Sequence, residues 1–319
     1  MIISCKNIDR LVNVGFRPYG MPRADIGDLY DLCATDYPVS YKCARDLLKQ
    51  PGARVGIFTG AAVVDVFPKG ESDGPLGAAI LGRALQKLGY AVTLFTEIDC
   101  QPGLSAIAEM IGCTAPVTVL EKRKSLDEPC AQYDEIANAL DIAVCTEKVG
   151  VNCKGVQHSI TGRSRNGMRA FVDPIINKMN EMGKLTIGIG DGGNEIGFGS
   201  IYEETCDFID NGRKCICGCN AGIVTVTKVT HCFPVAISNW GCYAICAALA
   251  LQTGDQSLMV TPEEEHDMLM RTIDLELCDG DSGVPKYALD GIHGDVSVAC
   301  VRFIREIVSA YFTTNDRKF

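Results

Sequence analysis

The chain has 319 residues, 47% apolar and 22% charged, a globular composition that can bury a substantial core and argues against a disordered or low-complexity protein. Its net charge of −10 argues against a nucleic-acid surface, which needs a clustered basic excess. The longest apolar run, Ala244 to Leu251, is far too short to span a bilayer.

The predicted elements alternate between helix and strand. Residues 41–50 read as a helix and 53–60 as a buried strand ending in glycine. After a loop over 61–73, a helix over 74–89 carries Pro75 in its first turn and closes on Gly89, and 91–96 form the next strand. The pattern repeats with a helix at 104–111, a strand at 117–120, a helix at 130–140 and a strand at 142–146. A Gly-, Ser- and Arg-rich loop over 150–167 leads to a helix at 174–182 and a strand from Leu185. Beyond Cys219 the order is looser, with strands expected at 223–230 and 235–238 and helices at 240–252, 262–275 and 296–312. The expected fold is an α/β three-layer sandwich with a mainly parallel sheet and a looser C-terminal α+β part. It forms a single domain over 1–319, divisible into lobes 40–200 and 201–319.

Ligands of open parallel sheets sit beyond the carboxyl ends of the strands. On this reading Asp65, Asp73, Glu147 and Asp191 with Glu195 occupy that edge. The densest signal is Leu185 to Gly199, where a strand empties into a glycine-rich turn holding Asp191, Asn194 and Glu195. Gly188, Gly190 and Gly193 match the spacing of a dinucleotide fingerprint. Asp191 would then lie inside the pyrophosphate cradle and repel it, so no nucleotide cofactor is expected. A divalent cation reverses that sign, which makes Asp191 and Glu195, with Glu147 and Asp65, candidate oxygen ligands for magnesium or manganese. The same turn is similar to the magnesium loop of haloacid-dehalogenase-like phosphatases, although the sole Asp-x-Asp, Asp279 to Asp281, comes too late in the chain for that fold. A turn whose acids merely cap a helix is the plain alternative.

Asp73 and Gly74 open a helix whose free N–H groups suit a carboxylate or phosphate. Arg163, Arg165 and Arg169 offer guanidinium forks to a carboxylate, and His158 in the same loop could move a proton near neutral pH. Asn194 and Asn239 are further candidates for substrate contact, Asn239 being equally a cap beside a core Trp240. Asp281 and Asp290 lie in two acidic turns that could serve the same pocket. The seventeen cysteines read as free, mostly buried thiols of a reducing cytosol, because Met1 to Lys6 has no apolar signal core. Cys215, Cys217 and Cys219 are their only tight cluster; with Cys206 nearby they could seed a metal or iron–sulfur site, but they lack the paired C-x-x-C knuckles of structural zinc, and small buried apolar residues are the favoured reading.

Ser72 to Ala78, Thr96-Glu97, Glu147 with Lys154 to His158, Gly188 to Gly199, Ser238 to Tyr243 and Leu289 to Gly291 occur in an order that resembles the D-glutamate cyclase-like family, from about residue 40 onwards. The resemblance implies conversion of D-glutamate to 5-oxo-D-proline and water, with Asp191 and Glu195 holding a cation, helped by Glu147 and Asp65. His158 or one of the acids would be the base, and the start of the Gly74 helix with an arginine would hold the α-carboxylate. One departure stands out. Where the family continues Asn-Met-Arg-Gly after the histidine, this chain has Ser159-Ile-Thr-Gly162, so that Arg163 or Arg165 would have to substitute. The expected partner is a small carboxylate, with no nucleic acid and no membrane, and a homo-oligomer is compatible with the sequence. A metal-dependent phosphate-ester hydrolase and a non-catalytic metabolite sensor are the competing readings.

Overall fold

The structure, a computed structural model, describes residues 1–16 and 26–313. Six parallel strands form one sheet: β1 (Arg54–Phe58), β2 (Ala91–Thr96), β3 (Val117–Val119), β4 (Ile142–Thr146), β5 (Leu185–Gly190) and β6 (His231–Pro234). Their order is β3-β2-β1-β4-β5-β6. The chain runs outward from β1 in both directions, so β1 and β4 flank the switch point where ligands of doubly wound sheets bind.

Period-two alternation divides the strand side chains between two cores. Val55, Ile57, Ile142 and Val144 face one core, whereas Phe58, Ala143 and Cys145 face the other. The second core is closed by α6 (Ala131–Ala139) and α7 (Asp173–Glu181), which supply Tyr133, Ile136, Ile175 and Met179. The first lies under α3 (Val39–Leu48), α4 (Pro75–Lys87) and α9 (Ser238–Thr253), with α5 (Gln101–Met110) beside α4. Residues Ser238 to Leu251 of α9 are all buried, because α3 and α4 cover one side and α1 (Ile2–Val12) and α11 (Gly294–Phe312) the other. A helix wrapped all round has no polar stripe, which accounts for the apolar run in the sequence. α10 (Pro262–Asp274) packs on α11, and β7 (Ala288–Leu289) and β8 (Ile292–His293) make a two-stranded antiparallel sheet. The helices α2 (Ile26–Cys33) and α8 (Tyr202–Phe208) complete the fold with two short 3-10 turns.

Two expected strands are corrected. Residues 223–230 enter no sheet, since the edge beside β5 is taken by β6. That strand in turn lies four residues before the expected 235–238, and its last pairing is Gly190 with Pro234.

Candidate active site at the carboxyl edge of the sheet

Three loops meet at the switch point. Asp73 precedes α4, Glu147 follows β4 directly, and Asp191 follows β5. One carboxylate oxygen from each lies within 4.8 Å of the other two, and all three residues are buried. Asp73 is fixed by three backbone N–H groups, from Gly74 at 3.0 Å, Ser238 at 2.9 Å and Asn239 at 2.8 Å. Asn239 reciprocates: its Oδ1 accepts from Gly74 N at 2.9 Å and Gly77 N at 2.7 Å, and its Nδ2 donates to Ser72 O at 3.1 Å. The N-termini of α4 and α9 therefore cap each other, each with the other's side chain. Ser238 donates its hydroxyl to Glu147 Oε2 at 2.7 Å. Glu147 adopts φ of 48°, a conformation that costs a non-glycine residue on the order of 1–3 kcal/mol and aims its side chain into the cluster.

Glycines let the β5 loop fold back over its own strand. A Cβ on Gly188 would fall 2.2 Å from Ile196 O, and one on Gly190 would fall 2.8 Å from Glu195 Cβ. In that fold the Glu195 carboxylate accepts from Gly192 N at 3.2 Å and Gly193 N at 2.8 Å. The loop is tied to the segment after β4 by Gly150 N to Asn194 O at 2.9 Å and Ile196 N to Lys148 O at 2.8 Å. Beneath it, fully buried Lys148 pairs with fully buried Glu97, which also accepts from Ala170 N at 2.8 Å.

Among the described residues acids dominate the electrostatics, with Arg169 opposing them at Glu71. Burial, then Asp191 and Glu195, hold the Glu147 carboxyl well above its ordinary range. Burial, then Asp290 and Asp191, raise Asp73, with the N–H groups of Asn239 and Ser238 opposing. Glu71 is raised by burial and then by Asp290; both of their carboxylates lie close to where a Cβ on Gly280 would stand. Such a group of buried acids favours proton uptake or a bound cation. Three oxygen donors around one point fit a hard divalent cation, and Asp73 has used only three of its roughly four acceptor positions.

Beside the acids lies a cavity of about 230 Å³, lined by Glu71, Glu147, Asn194, Glu195 and Asp290 and also by Arg165 and Arg169. Arg165 Nε, Arg169 Nε and Asn194 Oδ1 are buried and have no hydrogen-bond partner among the described residues. Unmet guanidinium donors facing a cavity suit a carboxylate ligand. A family model for the D-glutamate cyclase-like, C-terminal domain matches residues 30–305. The chain belongs to this family. It is also similar to human mitochondrial D-glutamate cyclase, with 27% identity over 195 residues, covering 57% of this chain and 30% of that protein. The matched region thus spans less than a third of the relative's length.

The fold of this D-glutamate cyclase-like chain distributes the expected site residues unevenly. Asp191 and Glu147 stand together as expected, and Asp73 joins them as a third carboxylate where a substrate contact was expected. Asp65 does not: it is exposed at the tip of the turn closed by the Val63–Phe67 bridge. The Glu195 carboxylate holds the glycine turn and lines the cavity. The Gly74 N–H is consumed by Asp73 and Asn239, so the start of α4 has no free donor there for a ligand. Arg163 is exposed on the 159–163 turn, whereas Arg165 reaches the cavity. His158 faces away from the acids, its Nδ1 3.1 Å from Val156 O and its Nε2 3.2 Å from Cys217 Sγ. Burial holds the His158 imidazole below its ordinary range. Glu71 and Ser238, unassigned by the sequence, belong to the site. Their signal was present in Glu71-Ser-Asp and Ser238-Asn-Trp, where each flanks a capping residue. Among the described residues no helix is long and apolar enough to cross a membrane.

Proposed function

We propose that the protein is a metal-dependent lyase that cyclises D-glutamate, or a closely related amino dicarboxylic acid, to a 5-oxoproline-type lactam and water. The observation that carries this reading is the Asp73, Glu147 and Asp191 trio, whose Glu147 lines a cavity that Arg165 and Arg169 also line. In this reaction the α-amine bonds to the γ-carboxyl carbon and one C–O bond breaks. The ammonium gives up two protons in all, and the departing oxygen gains two, so the balance is one lactam and one water. A carboxylate is a poor electrophile, and a magnesium or manganese ion held by Asp73, Glu147 and Asp191 would supply charge neutralisation and polarisation of its C–O bond.

The chain's own residues do the rest. Arg165 and Arg169 hold the substrate α-carboxylate, filling the open positions on their guanidinium groups. Asn194 Oδ1 accepts from the ammonium. Glu71, kept ready to bind a proton by burial and Asp290, takes a proton from the ammonium and returns one to the leaving oxygen. Two convergent ends hold the substrate folded, so that amine and carboxyl approach each other.

Incubation with D-glutamate and manganese, followed by chromatographic and mass-spectrometric detection of 5-oxoproline, tests the reading. Production by the wild type and its loss in Asp191→Asn are expected. A wild type that shifts its thermal midpoint with D-glutamate yet forms no product would make it a metabolite-binding protein instead.

A further inference from the structure

Some way along the loops from the carboxylate trio, four side chains converge on a second point. His158 Nε2 and the sulfurs of Cys215, Cys217 and Cys219 all lie within 4.8 Å of one another. The edges are 3.2 Å for Cys215–Cys217, 3.4 Å for Cys215–Cys219, 3.2 Å for His158–Cys217 and 3.8 Å for His158–Cys219. A tetrahedral zinc with its usual bond lengths sets sulfur–sulfur edges of about 3.8 Å and sulfur–nitrogen edges of about 3.6 Å. The four atoms are already gathered near that spacing, three of these edges being about 0.4–0.6 Å shorter than the zinc values. A multi-iron cluster would hold its thiolates farther apart. We propose that His158, Cys215, Cys217 and Cys219 form a structural zinc site of the Cys₃His type.

The surroundings match what such a site requires. Val156 O accepts from His158 Nδ1, and because a carbonyl only accepts, the proton sits on Nδ1 and the Nε2 lone pair points at the sulfurs. This is the second-layer contact that fixes a metal-bound imidazole. Asn152 Nδ2 donates to Cys219 Sγ at 3.4 Å and to Gly222 O at 2.7 Å, as amides do to metal-bound thiolates. The cysteine loop closes tightly on itself: Cys215 N donates to Ala221 O at 2.8 Å, and a Cβ on Gly222 would overlap Gly212 O. Cys206, the expected neighbour, is not in the group; the fourth ligand comes from a strand-linking loop 57 residues upstream of Cys215.

The site has a structural consequence for the cavity. Residues 209–230 form no helix or strand, so little regular hydrogen bonding orders them. A zinc at this point staples them to the 156–164 loop, whose Ser159, Ile160 and Thr161 line the cavity. Asn211 Nδ2 to Ile160 O at 3.3 Å joins the same two loops. The segment Ser159 to Gly162 follows the proposed ligand His158 directly.

Elemental analysis of protein purified from zinc-supplemented culture should find about one tightly held zinc per chain, surviving a brief EDTA wash that strips magnesium and manganese. Replacement by cobalt should give an intense thiolate-to-cobalt charge-transfer band and the visible d–d bands of a tetrahedral ion. Glu147→Gln should keep that spectrum, and Cys217→Ser/Cys219→Ser should lose both zinc and charge transfer. A wild type without zinc, or a cobalt form lacking the thiolate band, would overturn the proposal. The two wild-type readouts need no variant to fold, and none of the readouts depends on whether D-glutamate is turned over.

Discussion

Glu147→Gln provides a direct test of the electrostatic argument. The substitution keeps the shape of the side chain and an oxygen for the Ser238 hydroxyl, but removes one of three buried negative charges. With carboxylate oxygens within 4.8 Å, each like-charge pair costs roughly 3 kcal/mol at an effective dielectric constant near 20. Part of that cost is escaped by proton uptake, since the folded values of Glu147 and Asp73 are raised. A carboxyl with a raised folded pKa gives its full stability contribution below its unfolded pKa, near 4, and loses it as pH rises through the folded value. In EDTA, wild-type stability should therefore fall from pH 5 to pH 8. Glu147→Gln should be more stable than wild type at pH 8 by about 2–3 kcal/mol and nearly equal to it at pH 5. Urea unfolding at both pH values, in EDTA and then in manganese, measures this. Manganese should restore the wild type at pH 8 and leave the variant almost unmoved. Equal destabilisation of Glu147→Gln at both pH values would refute the reasoning.

Three further outcomes follow from the geometry. Asn239→Ala removes three hydrogen bonds and leaves Gly77 N without its acceptor while Gly74 N keeps Asp73, which should cost about 2–4 kcal/mol in urea unfolding, whereas a residue that only touched substrate would leave stability unchanged. Arg169→Gln should raise KM for the substrate about 10- to 100-fold, consistent with a lost charged hydrogen bond, while the manganese-linked gain in stability persists. Gly188→Ala should lower stability and abolish manganese binding together, because its Cβ would meet Ile196 O at 2.2 Å and push the Asp191 loop off its strand.

Much of the fold was legible because buried parallel strands separated by amphipathic helices leave a plain pattern. β2 and β4 coincide with the expected ranges, and α4 and α10 differ from theirs by two residues or fewer at either end. The segment 223–230 misled for a physical reason: Ile223, Val224, Thr225, Val226 and Thr227 have strand-forming side chains, yet Thr227 spends its hydroxyl on Asp173 and Val226 N bonds to Val151 O. Propensity cannot show that a neighbouring strand already occupies the sheet edge. At the site, Glu147 and Asp191 were legible as acids ending buried strands. Asp65 and Asp73 share one loop, and only the bridge from Val63 to Phe67 decides which of them points outward. The mutual capping by Asp73 and Asn239 joins residues 166 positions apart, and the partnership of His158 with the cysteines joins residues 57 to 61 apart. Neither spacing has a local periodicity to reveal it.

The central claim is that the carboxylate trio holds a divalent cation beside the substrate cavity. Anomalous diffraction from crystals soaked in manganese and D-glutamate tests it most directly. The account predicts a manganese peak about 2.0–2.4 Å from oxygens of Asp191 and Glu147, with the substrate reaching towards Arg165 and Arg169. Substrate density in the cavity with no metal peak between those carboxylates would contradict it.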